Sequence, residues 1–143
     1  MEKEFVPYKL AVKLKALGFD EPCLAFYYDK TKFLSLGENP KYLVDQRKAS
    51  CIFGNEKHGV TLAPTFSQAF RWFREKYGLW STLSYDEDDS GKMLWGINAF
   101  EYGIGPLFFL EEYDTYEEAE LACLDRLIDV ITNKKIFDFV TDL

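Results

Sequence analysis

Within this 143-residue chain, the residues that could do chemistry are one histidine, three cysteines and several close-set carboxylates. Cys51 and His58 flank Gly54, and a thiolate beside an imidazolium is a competent nucleophile. No third group is identifiable to orient that imidazole, so a buried thiol and an exposed loop histidine account for the pair more simply. With His58 the single imidazole, no multi-histidine metal site forms within one chain, and zinc would need thiolates. Cys23, Cys51 and Cys123 lack the two-residue spacing of a zinc knuckle or redox motif, and read as small apolar filler. No serine lies in a Gly-x-Ser-x-Gly elbow, and no glycine-rich loop leads into a lysine. Gly103 and Gly105 are followed by Pro106 and a strand, where a phosphate-binding turn would need a helix.

The carboxylates invite two readings. Asp86, Asp88, Ser90 and Gly91 echo the start of a calcium loop, but its twelfth position falls on Ile97, which cannot ligate. A solvated hairpin tip is the better account. Glu111 with Glu112, or Glu117 with Glu120, could serve as an acid and base. Glu120 stands out because its helical angle points it into an apolar stripe, where burial would raise its pKa. Its place in the first helical turn offers water and a favourable dipole instead.

Aromatic side chains are the one surplus, with 25 of 143 residues Phe, Tyr or Trp. Trp72 is expected to point away from the Phe66/Phe70/Phe73/Tyr77 stripe of its helix, beside Arg71. Tyr27, Trp80, Trp95 and Tyr102 cannot all lie under three helices if only one sheet face is covered. Exposed Trp, Tyr and Arg are what recognition surfaces use. Arg71, Trp72, Trp80, Trp95 and Tyr102 are therefore the candidate binding residues, with no catalytic residue, metal ligand or cofactor assigned.

The elements that must position these groups follow from periodicity. Val6, Leu10, Leu14 and Leu17 form one stripe of a helix over 6–17, with Pro7 in its first turn and Gly18 as its stop. Residues 24–28 and 33–36 read as strands about a turn at 29–32. Residues 37–63 are the least readable stretch, with one short helical turn expected near Tyr42 to Arg47. A helix over 64–77 ends at Gly78, and strands at 80–85, 93–100 and 107–112 form a three-stranded meander. Thr115 and Glu118 make a capping box for a last helix whose apolar face is Leu121, Leu124, Leu127, Ile128 and Ile131. Asn133 is the expected stop, after which Ile136 to Val140 alternates and could add a strand or fray. The order αββ–α–βββα implies an α+β fold in one domain, 1–143, with an antiparallel sheet of about five strands and helices on one face.

Residues 1–58 carry ten Lys/Arg against eight Asp/Glu, and residues 59–143 carry seven against sixteen. So acidic a second half argues against direct nucleic-acid binding. No apolar run is long enough to span a bilayer and no export signal is evident, so a soluble, cytoplasmic protein is expected. The segments Phe70–Leu79 and Thr115–Leu124, with Phe5-Val6-Pro7-Tyr8 and Leu17–Cys23, resemble a group of small uncharacterised proteins from gut anaerobes and their phages or mobile elements. That resemblance omits most of 37–63 and implies a setting, an intracellular accessory protein of phage-related origin, without an activity. The function expected is a noncatalytic module that binds a protein partner or itself through exposed aromatics. The alternatives are an acidic decoy that mimics nucleic acid, and a small enzyme or ligand binder with its site beside 37–63, using Cys51, His58 or Glu120.

Overall fold

A computed structural model describes residues 2–37, Val44, 59–108 and 111–142. Cys51, His58 and the helical turn expected near Tyr42 to Arg47 lie outside the described residues. The fold is α+β, and its strands divide between two antiparallel sheets of three and four strands in place of the single sheet expected. The chain forms two compact units, Met1–Ser67 and Gln68–Leu143. Their boundary falls in the first turn of a helix, with no Gly-, Pro- or Ser-rich linker to mark it in the sequence.

In the first unit, a 3-10 turn at Glu2–Glu4 precedes α1 (Tyr8–Ala16), whose stripe of Val6, Leu10, Leu14 and Leu17 is buried as its spacing requires. β1 (Ala25–Tyr28) is the central strand, paired with β2 (Leu34–Leu36) on one edge and β3 (Val60–Ala63) on the other. The strand β3 arises inside the stretch that sequence left unassigned. All four of its residues are buried, so it shows no alternation of polar and apolar positions from which to read a strand. Its exit is tied to the start of α1. The Val6 N–H donates to the Pro64 carbonyl at 2.9 Å, and the buried Tyr27 hydroxyl donates to the Val6 carbonyl at 2.8 Å.

The second unit begins at Gln68 within α2 (Phe66–Tyr77), which is closed by Gly78 at φ +65. β4 (Leu79–Glu87) and β5 (Met93–Glu101) form a long regular hairpin. The expected third strand is split. β6 (Gly105–Phe108) pairs with one end of β5 and β7 (Glu112–Tyr113) with the other, giving four strands where a meander of three was expected. The last helix, α3 (Tyr116–Thr141), is capped by Thr115, whose Oγ1 accepts the Glu118 N–H at 3.2 Å. Ala119, Cys123, Leu124, Leu127, Ile128 and Ile131 are buried, whereas Leu121, expected among them, is exposed.

Asn133 does not end α3, and the alternating tail is neither strand nor frayed coil. Helix continues through Ile136–Val140, with the Thr141 hydroxyl donating back to the Asp138 carbonyl at 3.0 Å. Isoleucine, phenylalanine and valine at 136, 137, 139 and 140 stand in two adjacent pairs about Asp138, which breaks a period of two but falls on one arc of a helix. Without a partner strand to pair with, the chain satisfies its backbone groups internally.

Candidate functional site

The hairpin tip comes first among the sequence-predicted sites. Asp88 Oδ1 accepts from the Ser90 hydroxyl at 2.6 Å, the Ser90 N–H at 2.8 Å and the Lys92 N–H at 2.9 Å. A carboxylate committed in this way organises a turn, as an Asx motif does. The hydrogen bond from Ser90, followed by that from the Lys92 backbone, holds the Asp88 carboxyl below its ordinary value of 3.8. Lys92 pairs with Asp114 at 2.7 Å, which raises the lysine's pKa and ties the tip to the entrance of α3. Among the described residues no three His, Cys, Asp or Glu side chains are grouped to hold a metal ion.

A group whose folded pKa is depressed stabilises the fold fully above its unfolded value, and that stability is lost as pH falls through the folded value. The urea midpoint of Asp88→Ala is therefore expected to lie below that of the wild type by most near neutral pH. The gap should begin to narrow near about pH 4, where Asp88 protonates in the unfolded chain, and close as pH falls through the lower folded value. A gap of constant size from about pH 7 to about pH 3 would mean that the charge of Asp88 plays no part.

Of the acid–base candidates, Glu111 and Glu120 are engaged. Glu111 accepts the Tyr113 hydroxyl at 2.5 Å and pairs with Arg126 of α3 at 3.0 Å. Burial, then the bond to Glu111, pushes the Tyr113 hydroxyl up to about 12, which fixes it as a donor. Glu120 is half-buried and accepts the Tyr116 hydroxyl at 3.1 Å, one helical turn away. The two described cysteines are buried, and desolvation pushes the Cys123 thiol up to about 11. Such a thiol is protonated at neutral pH and packs as a small apolar group.

A polar cluster in the first unit escaped the sequence. Asp29, at the end of β1, accepts from the Thr61 hydroxyl at 2.6 Å and the Tyr8 hydroxyl at 3.2 Å, both on Oδ1. Its N–H donates to the Gly59 carbonyl at 3.0 Å, and a Cβ at Gly59 would stand 2.6 Å from Asp29 Oδ2. Glycine is thus what lets the carboxylate lie against that backbone. Both hydroxyls spend their protons on Asp29, and burial followed by the Asp29 charge raises the pKa of Tyr8. The cluster joins helix, hairpin and edge strand. It is a fastening, with no nucleophile released.

The aromatic candidates do not all share one surface. Trp72 is 4% exposed, contrary to expectation, with its ring edge-on to Phe73 at 5.1 Å and Tyr77 at 5.3 Å, and the Lys76 ammonium 5.0 Å from its centre. The buried arc of α2 is Phe66, Ala69, Trp72 and Phe73, turned from the all-aromatic stripe by the small Ala69. Arg71 stays exposed. Trp95 is half-buried on the α3 side of its sheet, stacked on Tyr85 at 4.5 Å and edge-on to Tyr116 at 5.0 Å. Tyr27, the remaining ring of the four that could not all be covered, is buried.

Trp80 and Tyr102 do come together. Trp80 pairs with Phe100 across the β4–β5 ladder, and Phe100 with Pro106 across β5–β6. Strand alternation puts Leu79, Ile97 and Ala99, all buried, on the face under α3, and Trp80 and Phe100 on the other. Trp80 is 46% exposed, Phe100 43%, Tyr102 83% and Ile104 74%. The Tyr102 N–H donates to the Gly78 carbonyl at 3.0 Å, which holds the β5–β6 turn beside the start of β4. The Arg74 guanidinium lies 5.6 Å from the Trp80 ring centre, giving the patch a cationic edge. Comparisons with protein-family models, curated proteins and solved structures give no match.

Proposed function

We infer that this chain is a noncatalytic interaction module whose contact surface is the open sheet face of the second unit. The observation that carries the reading is the cross-strand pair Trp80–Phe100, left half-exposed beside the still more exposed Tyr102 and Ile104. Rings fixed on a hairpin lose little entropy when a partner covers them, and a guanidinium at the rim adds direction. The setting taken with this reading is cytoplasmic and phage-related, as the sequence resemblance implies, and the partner is a protein. No helix among the described residues is long and apolar enough to cross a membrane.

The test compares wild type with Trp80→Ser/Tyr102→Ser as baits in quantitative affinity capture from native cells. A specific protein should be retained by the wild type and fall at least about tenfold with the variant, since each ring contributes 1 kcal/mol or more at an interface centre. The variant's melting temperature should move by only a few degrees, because both residues are at the surface. Retention that is undiminished by the double substitution would remove this face from consideration.

A further inference from the structure

Along its length α3 follows β5. Tyr116 lies against Trp95 near one end of that strand, and Lys134 pairs with Glu101 at the other. Beyond Lys134 the sheet has ended, and the helix continues for about 10 Å at 1.5 Å per residue. This overhang carries Ile136, Phe137, Phe139 and Val140, between 57% and 68% exposed. At about 100° per residue they share one arc, roughly 150° around the helix from Leu124, Leu127, Ile128 and Ile131. The overhang thus points its apolar arc away from the sheet on which the rest of α3 packs.

The segment is symmetric about Asp138. Ile136 and Val140 flank it at two residues, Phe137 and Phe139 at one, and Asp138 itself points opposite the apolar arc. We propose that this face pairs with the same face of a second copy, the two helices running antiparallel about a two-fold axis level with Asp138. A two-fold interface must be self-complementary, and this one brings Ile136 of one copy against Val140 of the other with rings packed on rings to either side. Lys135 and Asp142 lie about 120° and 140° from the centre of the apolar arc, turned from the partner, so the pairing rests on the apolar side chains alone. The four side chains would withdraw on the order of 500 Å² per copy, or about 1,000 Å² in all, the lower bound for a specific interface. This surface is separate from the Trp80 face, so either can fail without the other.

Sedimentation equilibrium on the full chain, from about 1 to about 200 μM, should show a reversible rise from the 16.7 kDa monomer to twice that mass, as a small interface of micromolar strength would give. Phe137→Ser/Phe139→Ser should raise the dissociation constant at least about a hundredfold with helical circular dichroism retained. A wild type that stays monomeric throughout overturns the proposal and leaves the face to a different protein. So does a dimer indifferent to the phenylalanine substitutions.

Discussion

Trp72→Ala is expected to destabilise the protein by about 3–5 kcal/mol, the range for removing a large aromatic from a packed interior. The indole is 4% exposed and touches Phe73 and Tyr77 edge-on, so truncation leaves a cavity that a helix cannot close. Equilibrium urea unfolding measures it directly. The neighbouring Arg71→Ala, at an exposed position, should change stability by no more than about 0.5 kcal/mol. The contrast matters for function, because lost binding in a Trp72 variant would report loss of fold. A Trp72→Ala protein with the wild-type midpoint would mean that the side chain is not in the interior.

Trp72 also shows where sequence reading was good and where it was not. The helix was legible, since Phe66, Phe70, Phe73 and Tyr77 recur at its period and Gly78 closes it. Its inward direction was not. Large rings dominate any apolar stripe read by eye, whereas Ala69 is fully buried and lets the helix approach closely on its own side. Phe70 and Tyr77 are consequently half-buried at the margin. The β4–β5 hairpin was legible from its acidic tip, and α1 from its stripe. β3 was hidden because burial on both faces removes alternation. Two sheets in place of one could not be seen, because strand spacing in sequence says little about which strands pair.

The candidate surface was half legible for a similar reason. Counting rings flagged Trp80 and Tyr102, but Phe100 joins them only through the ladder register, and Trp95 leaves them because its odd-numbered position faces α3. The far end of α3 was misread because Ile-Phe-Asp-Phe-Val is rich in strand-favouring residue types, whereas its two apolar pairs about Asp138 keep a helix arc and no strict alternation. Helix and overhang together turn that ambiguous pentapeptide into the most exposed apolar stretch of the last helix.

Asp29, Thr61 and Tyr8 are far apart in sequence and meet only because β3 lies beside β1, and they give the second large effect. Asp29→Ala is expected to cost about 1–3 kcal/mol, mostly because the Thr61 hydroxyl, on a residue 2% exposed, is left without its acceptor in a place water does not reach. Tyr8 is half-buried and can turn to solvent, so it adds little. Thr61→Val alone should cost about 1 kcal/mol or less, because the half-buried carboxylate keeps Tyr8 and gains water. In Asp29→Ala/Thr61→Val the orphaned hydroxyl is gone and a methyl group fills its space. The double variant should therefore be more stable than the sum of the single changes predicts, by more than the roughly 0.5 kcal/mol seen for independent sites. Strict additivity in urea unfolding would mean that the 2.6 Å bond does not carry the cluster, and that hairpin and edge strand are held by backbone pairing alone.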